Sequence, residues 1–111
     1  MGLLYPFAVA TTEVMTATGA QAFTIANNLT IIDGVTTEAT GNRTINLTMD
    51  DEIKAGAKLL VKSKTNATET TIFGTLITSA TITGVAGKTI CQEFTFDGSV
   101  FLPTGTSIQI Y

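Results

Sequence analysis

Apolar and polar residues alternate along most of this chain, and turn residues break the alternation at short intervals. Strands buried on one face produce that pattern. The clearest stretch is Arg43–Met49, where Ile45, Leu47 and Met49 point one way and Thr44, Asn46 and Thr48 the other. The pattern predicts strands over residues 12–16, 22–26, 29–32, 35–38, 43–49, 57–64, 69–73, 75–83, 89–96, 99–102 and 107–111. Within 75–83 the alternation slips phase near Thr78, which predicts a bulge. Many short strands with regular turn signals predict an all-β domain, an antiparallel β-sandwich or a jelly-roll-like barrel.

Two Asp-Gly pairs sit between apolar runs, Asp33-Gly34 and Asp97-Gly98. Such pairs suit a two-residue hairpin turn, because Asp tolerates positive φ and Gly accepts it freely. At Asp97-Gly98 that turn places Phe96 opposite Ser99 and Phe94 opposite Phe101. Phe94, Phe96 and Phe101 then share one buried face, and a one-residue slip would bury Glu93 and Thr95 instead. The only helical signal lies near 50–55. Asp50, Asp51 and Glu52 precede Lys54 and Gly56, which suits at most one short turn with Asp50 as its cap.

The first residues read differently. Leu3, Leu4, Tyr5, Phe7 and Val9 form a run that is apolar on both faces, and Pro6 keeps it extended. The segment has no basic start, so it is not read as a signal peptide. We expect an extended arm over 1–11 that packs on a neighbouring subunit or on another protein, followed by one sandwich domain over 12–111. The alternative for the arm is an ordinary first strand of the monomer's own sheet. No apolar run is long enough for a membrane span.

Composition narrows the chemistry. Threonine accounts for 23 of the 111 residues, so the strand surfaces are β-branched yet wettable. There is no His and one Cys, which rules out His-ligated metals, Ser-His-Asp and Cys-His catalytic sets, and a disulfide within the chain. Six basic residues and a net charge of −3 leave no footprint for nucleic acid. Four glycosylation sequons, at Asn28, Asn42, Asn46 and Asn66, are read as a by-product of abundant Thr.

Three clusters remain. Asp50, Asp51 and Glu52 lack the spaced ligands and central Gly of a calcium loop, and read as a turn that favours negative charge. Glu93 with Asp97 or Glu69 supplies carboxylates for a glycosidase, but with no Trp and only two Tyr a sugar-stacking platform is poorly supplied. Lys58, Lys62 and Lys64 share one strand face. They read as a solvated face or as lysine protection of an edge strand, with a patch for an acidic partner as the alternative. Cys91 lies between apolar neighbours and reads as a small packed side chain.

The stretch from Asp51 to Leu102 resembles auxiliary, decoration and head-fibre-type structural proteins of tailed bacteriophages. The resemblance is carried by Asp51-Glu52-Ile53-Lys54-Ala55-Gly56-Ala57-Lys58-Leu59-Leu60-Val61 and by Thr71-Ile72-Phe73-Gly74-Thr75. It continues through Thr81-Ile82-Thr83-Gly84 and Gly87-Lys88-Thr89. It ends in Glu93-Phe94-Thr95-Phe96-Asp97-Gly98-Ser99-Val100-Phe101, similar to the closing hairpin of those domains. The position often taken by Trp there is Phe101. The resemblance implies a β-sandwich or jelly roll, a homotrimer on a capsid or its spikes, and no catalytic residues. The expectation is therefore a non-enzymatic virion protein without cofactor or metal. It would be made in the host cytoplasm, sit on the capsid surface, and decorate or reinforce the head or anchor a head fibre. Its partners would be itself and the major capsid protein or other virion proteins, with no nucleic acid and no membrane. The alternative is a receptor- or glycan-binding tip domain of a viral or cell-surface fibre. An enzyme is the least favoured class.

Overall fold

A computed structural model describes residues 11–111. The ten strands are β1 (Thr11–Val14), β2 (Gly19–Ile25), β3 (Leu29–Ala39), β4 (Arg43–Met49), β5 (Lys58–Thr65), β6 (Thr70–Phe73), β7 (Ile82–Thr83), β8 (Thr89–Phe96), β9 (Phe101–Pro103) and β10 (Ile108–Gln109). They form two sheets of a β-sandwich, with no helix among the described residues. One sheet has the order β1-β3-β5-β8-β10, with β9 also on β8; the other has the order β2-β4-β6-β7.

The pairing is mixed, where the sequence led us to expect antiparallel. The first six strands alternate between the two sheets, so that β1, β3 and β5 stack in parallel in one and β2, β4 and β6 in the other. The short connections permit this arrangement. Between Ile25 and Leu29, and between Ala39 and Arg43, only three residues intervene. A parallel crossover within one sheet needs about a dozen residues, but a few residues suffice to cross the roughly 10 Å between packed sheets. Each pair of strands is thus one rung, laid on the rung before it. Antiparallel pairing begins only where β8 returns along β5 and β9 and β10 flank β8, and where β7 pairs β6. The sheets do not close into a barrel.

The inward positions fill the space between the sheets. Ile45 and Leu47 of β4 are buried as the alternation requires, and Met49 packs at the margin. Phe23, Ile25, Ile32, Leu59, Val61 and Phe94 complete the centre. The Phe73 ring meets Phe94 edge-on across the sheets, with centroids 5.0 Å apart. Burying a large apolar side chain contributes about 1.5–3 kcal/mol.

Three local expectations change. Asp33-Gly34 is no hairpin: it lies inside β3, opposite Lys62 and Ser63, with an irregularity in the pairing between Gly34 and Ala39. Gly34 is small because of close approach. A Cβ there would lie 2.7 Å from Arg43 Nη2, 2.8 Å from the Lys62 carbonyl and 2.9 Å from Met15 Sδ. Asp97-Gly98 does turn the chain, but through a loop from Asp97 to Val100, so Phe96 faces Phe101 and Phe94 faces Pro103. The shift is two residues, so Phe94, Phe96 and Phe101 keep their common buried face. Asp97 Oδ1 accepts from the Ser99 and Val100 amides at 2.8 and 2.9 Å, and Gly98 supplies φ +104°. Finally, the strand expected over 75–83 shrinks to β7. Leu76 adopts φ +65°, and Ile77 makes only an isolated bridge to Phe101. The signal near 50–55 is a hydrogen-bonded turn, in which Asp50 Oδ1 accepts from the Glu52 amide at 3.1 Å.

Candidate functional site

Among the described residues Arg43 is the one charged side chain that is buried. It begins β4 in the same phase as Ile45 and Leu47, so it points inward, and only 1% of it is exposed. Its guanidinium ties both sheets together. Nη1 donates to the Thr37 carbonyl at 2.8 Å and, more weakly, to the Thr16 carbonyl at 3.4 Å. Nη2 donates to Ser63 Oγ at 2.8 Å, to the Gly34 carbonyl at 3.1 Å and to the Lys64 carbonyl at 3.2 Å. Ser63 Oγ in turn lies 2.8 Å from Thr71 Oγ1 of β6. Burial pushes the Arg43 pKa down, and the Glu69 and Asp33 carboxylates oppose that shift. Among the described residues no carboxylate lies within salt-bridge distance of it; the one ion pair is Lys64 with Glu38, 3.4 Å apart at the surface. The cation is held by oxygen dipoles, which makes it a bolt between the layers.

The second feature is a cleft of about 410 Å³ lined by β7, β8 and the segment that follows β9. Ile82 and Ile90 supply apolar lining, Gln92 an amide, and Ser79, Thr81 and Ser107 hydroxyls. None of its lining residues is charged. Gln92 Nε2 is already engaged by the carbonyls of Glu93 and Gly105 at 2.9 and 3.3 Å. The cleft therefore offers hydrogen bonds and apolar contact, but no side chain that titrates near neutral pH.

The third feature is the outer face of the six-stranded sheet. Val14, Asp33, Lys62, Cys91 and Ile108 line up across it in register. Leu29, Lys58, Thr95 and Leu102 form a parallel row. Apolar side chains are left in water here, with Ile108 61% and Ile110 44% exposed. The charges between them are partly engaged. Lys58 Nζ donates to Thr95 Oγ1 at 2.9 Å, and Asp33 accepts from Thr36 Oγ1 at 2.6 Å. That hydroxyl bond, with the Val35 and Thr36 amides and the charge of Lys62, holds the Asp33 carboxyl below its ordinary pKa against the opposing effect of burial. No family model, curated protein or solved structure matches the chain.

The residues singled out in the sequence fall as follows. Lys58, Lys62 and Lys64 do share the outer face of β5, but β5 lies between β3 and β8, so they do not protect an edge. Cys91 is half-buried on that same face opposite Lys62, not packed in the core; burial raises its pKa and Lys62 only partly opposes this. Glu93 faces outward on β8, Asp97 sits in the hairpin loop, and Glu69 accepts the Ala67 amide before β6 at 2.7 Å. None of the three lines the cleft. Among the described residues no group of three His, Cys, Asp or Glu comes together as a metal site. Leu3, Leu4, Tyr5, Phe7 and Val9 lie outside the described residues. Arg43 was the residue that sequence reasoning passed over. Its signal was its parity with Ile45, Leu47 and Met49.

Proposed function

We propose that this chain is a non-enzymatic structural protein of a tailed-phage virion, decorating or reinforcing the capsid or anchoring a head fibre. The observation that carries the reading is the outer face of the six-stranded sheet. Val14, Leu29, Leu102, Ile108 and Ile110 are exposed there, and among the described residues no element covers them. Exposed apolar area of this kind marks a protein contact. The interleaved lysines and acids add polar specificity to such a contact. The framework behind the face is stiff, because Arg43 joins three strands and both layers. The low charged fraction, 14%, fits a surface meant to be covered by capsid protein or by other copies.

The test is an add-back experiment. Particles from a phage lacking the protein are mixed with the purified chain and pelleted. Saturable co-sedimentation is the expected result, and it should weaken in Ile108→Lys. Protein that stays in the supernatant at every concentration contradicts the reading. The uncharged cleft favours a second reading, a receptor- or glycan-binding tip, which a glycan array with a Gln92→Ala control addresses directly.

A further inference from the structure

We infer that the edge of β2 left unpaired among the described residues pairs with β2 of a second copy, antiparallel about a twofold axis at Ala22. The inference goes beyond the virion reading and does not depend on it. Each other edge strand among the described residues is short: β7 and β10 have two residues each, β9 has three and includes Pro103, and β1 has four and carries Glu13. β2 has seven, Gly19-Ala20-Gln21-Ala22-Phe23-Thr24-Ile25, with no charge and no proline. Its register with β4 runs without a shift from Gly19 opposite Arg43 to Ile25 opposite Met49, so no bulge twists the edge away. Lysine, proline, bulges and brevity are the usual devices that keep an edge from pairing. β2 has none of them.

The backbone directions decide the geometry. The Gly19 amide donates to the Asn42 carbonyl, and the Ile25 carbonyl accepts from the Asp50 amide. These odd-numbered residues direct their polar groups toward β4. Successive residues of a strand alternate in direction, so Ala20, Ala22 and Thr24 direct their N–H and C=O groups to the open edge. Their side chains are exposed on the outer face. A twofold axis at Ala22 sets Ala22 against Ala22 of the second copy, and Ala20 against Thr24. All three are then hydrogen-bonded pairs, each exchanging two bonds, about six in total. The side chains that meet are small and neutral, so nothing repels. The four-stranded sheet becomes one continuous sheet through both copies. A twofold contact is also self-complementary by construction, as one identical strand on each side requires.

The experiment measures mass in solution for the full-length chain across a concentration series, by light scattering and sedimentation. The wild type should reach twice its 11.6 kDa. Ala22→Pro removes an N–H that faces away from β4, so it should halve the mass while leaving the circular dichroism spectrum unchanged. A second variant covers misfolding of the first. In a Cys91→Ala background, Ala22→Cys brings two thiols onto the axis at a Cα separation of about 5.5 Å, within disulfide range. Mild oxidation should give a covalent dimer. A monomeric wild type with no cross-link overturns the inference and points to another occupant of the edge, such as residues 1–10 of the same chain. A trimer overturns it too, as does a dimer that persists in Ala22→Pro and does not cross-link through position 22.

Discussion

Replacing Arg43 by Met keeps the aliphatic stem and removes the guanidinium, so it isolates the bolt between the sheets. Three of its bonds are short: to the Thr37 carbonyl and Ser63 Oγ at 2.8 Å and to the Gly34 carbonyl at 3.1 Å. Hydrogen bonds to a charged group contribute about 1.5–3 kcal/mol each, so at the low end the three sum to roughly 4–5 kcal/mol. Part of this returns, because the variant no longer buries a charge. We expect a net loss of about 2–4 kcal/mol. At about 4 °C per kcal/mol for a domain of this size, Tm should fall by roughly 8–16 °C. Arg43→Lys should not rescue it, since an ammonium is a point charge with three donors and cannot span acceptors on β3 and β5. The assay is urea and thermal unfolding followed by circular dichroism. A double-mutant cycle with Ser63→Ala isolates the 2.8 Å bond between them. An Arg43→Met protein within about 0.5 kcal/mol of the parent would refute the reasoning. Zero coupling to Ser63 would show that the bond is geometric only.

Gly34→Ala should cost about 1–3 kcal/mol in the same unfolding assay, because its Cβ would crowd the Lys62 carbonyl and Arg43, and a backbone oxygen cannot step aside; a neutral result means the irregularity in β3 relaxes freely. Gly98→Val places a β-branched residue at φ +104° with only Ala55 nearby, so strain alone should cost about 1–3 kcal/mol, and unchanged stability would mean the loop has another conformation. Asp33 and Asp97 have depressed carboxyl pKa values, Asp33 chiefly through the Thr36 hydroxyl and Asp97 chiefly through the Val100 amide. The unfolded chain thus takes up protons first, so their contribution is present above about pH 4 and is lost as pH falls through the lower folded values. Asp33→Asn should flatten the acid limb of the stability profile, and an unchanged limb removes Asp33 from that account.

β4 and β8 were legible residue for residue, because their alternation is strict and each turns one face to the core. The pairing direction was not. An inward-facing residue at every second position looks the same in parallel and antiparallel strands, and a three-residue connection looks the same whether it turns a hairpin or crosses between sheets. Asp33-Gly34 was misleading for a related reason: the glycine answers to Arg43 and Met15 packed against it, which no local pattern reveals. The hairpin at Asp97 kept its buried aromatic face despite a two-residue shift, since side-chain direction repeats every two residues. Beyond Phe73, the path through Leu76 and Ile77 depends on tertiary contact with Phe101, and only the phase slip near Thr78 hinted at it.

We propose that this protein belongs to a virion. Quantitative mass spectrometry of gradient-purified virions tests it most directly. The chain is expected in the particle band, at a copy number that scales with the capsid lattice or with its fibres. A chain abundant in the lysate yet missing from purified particles would contradict it.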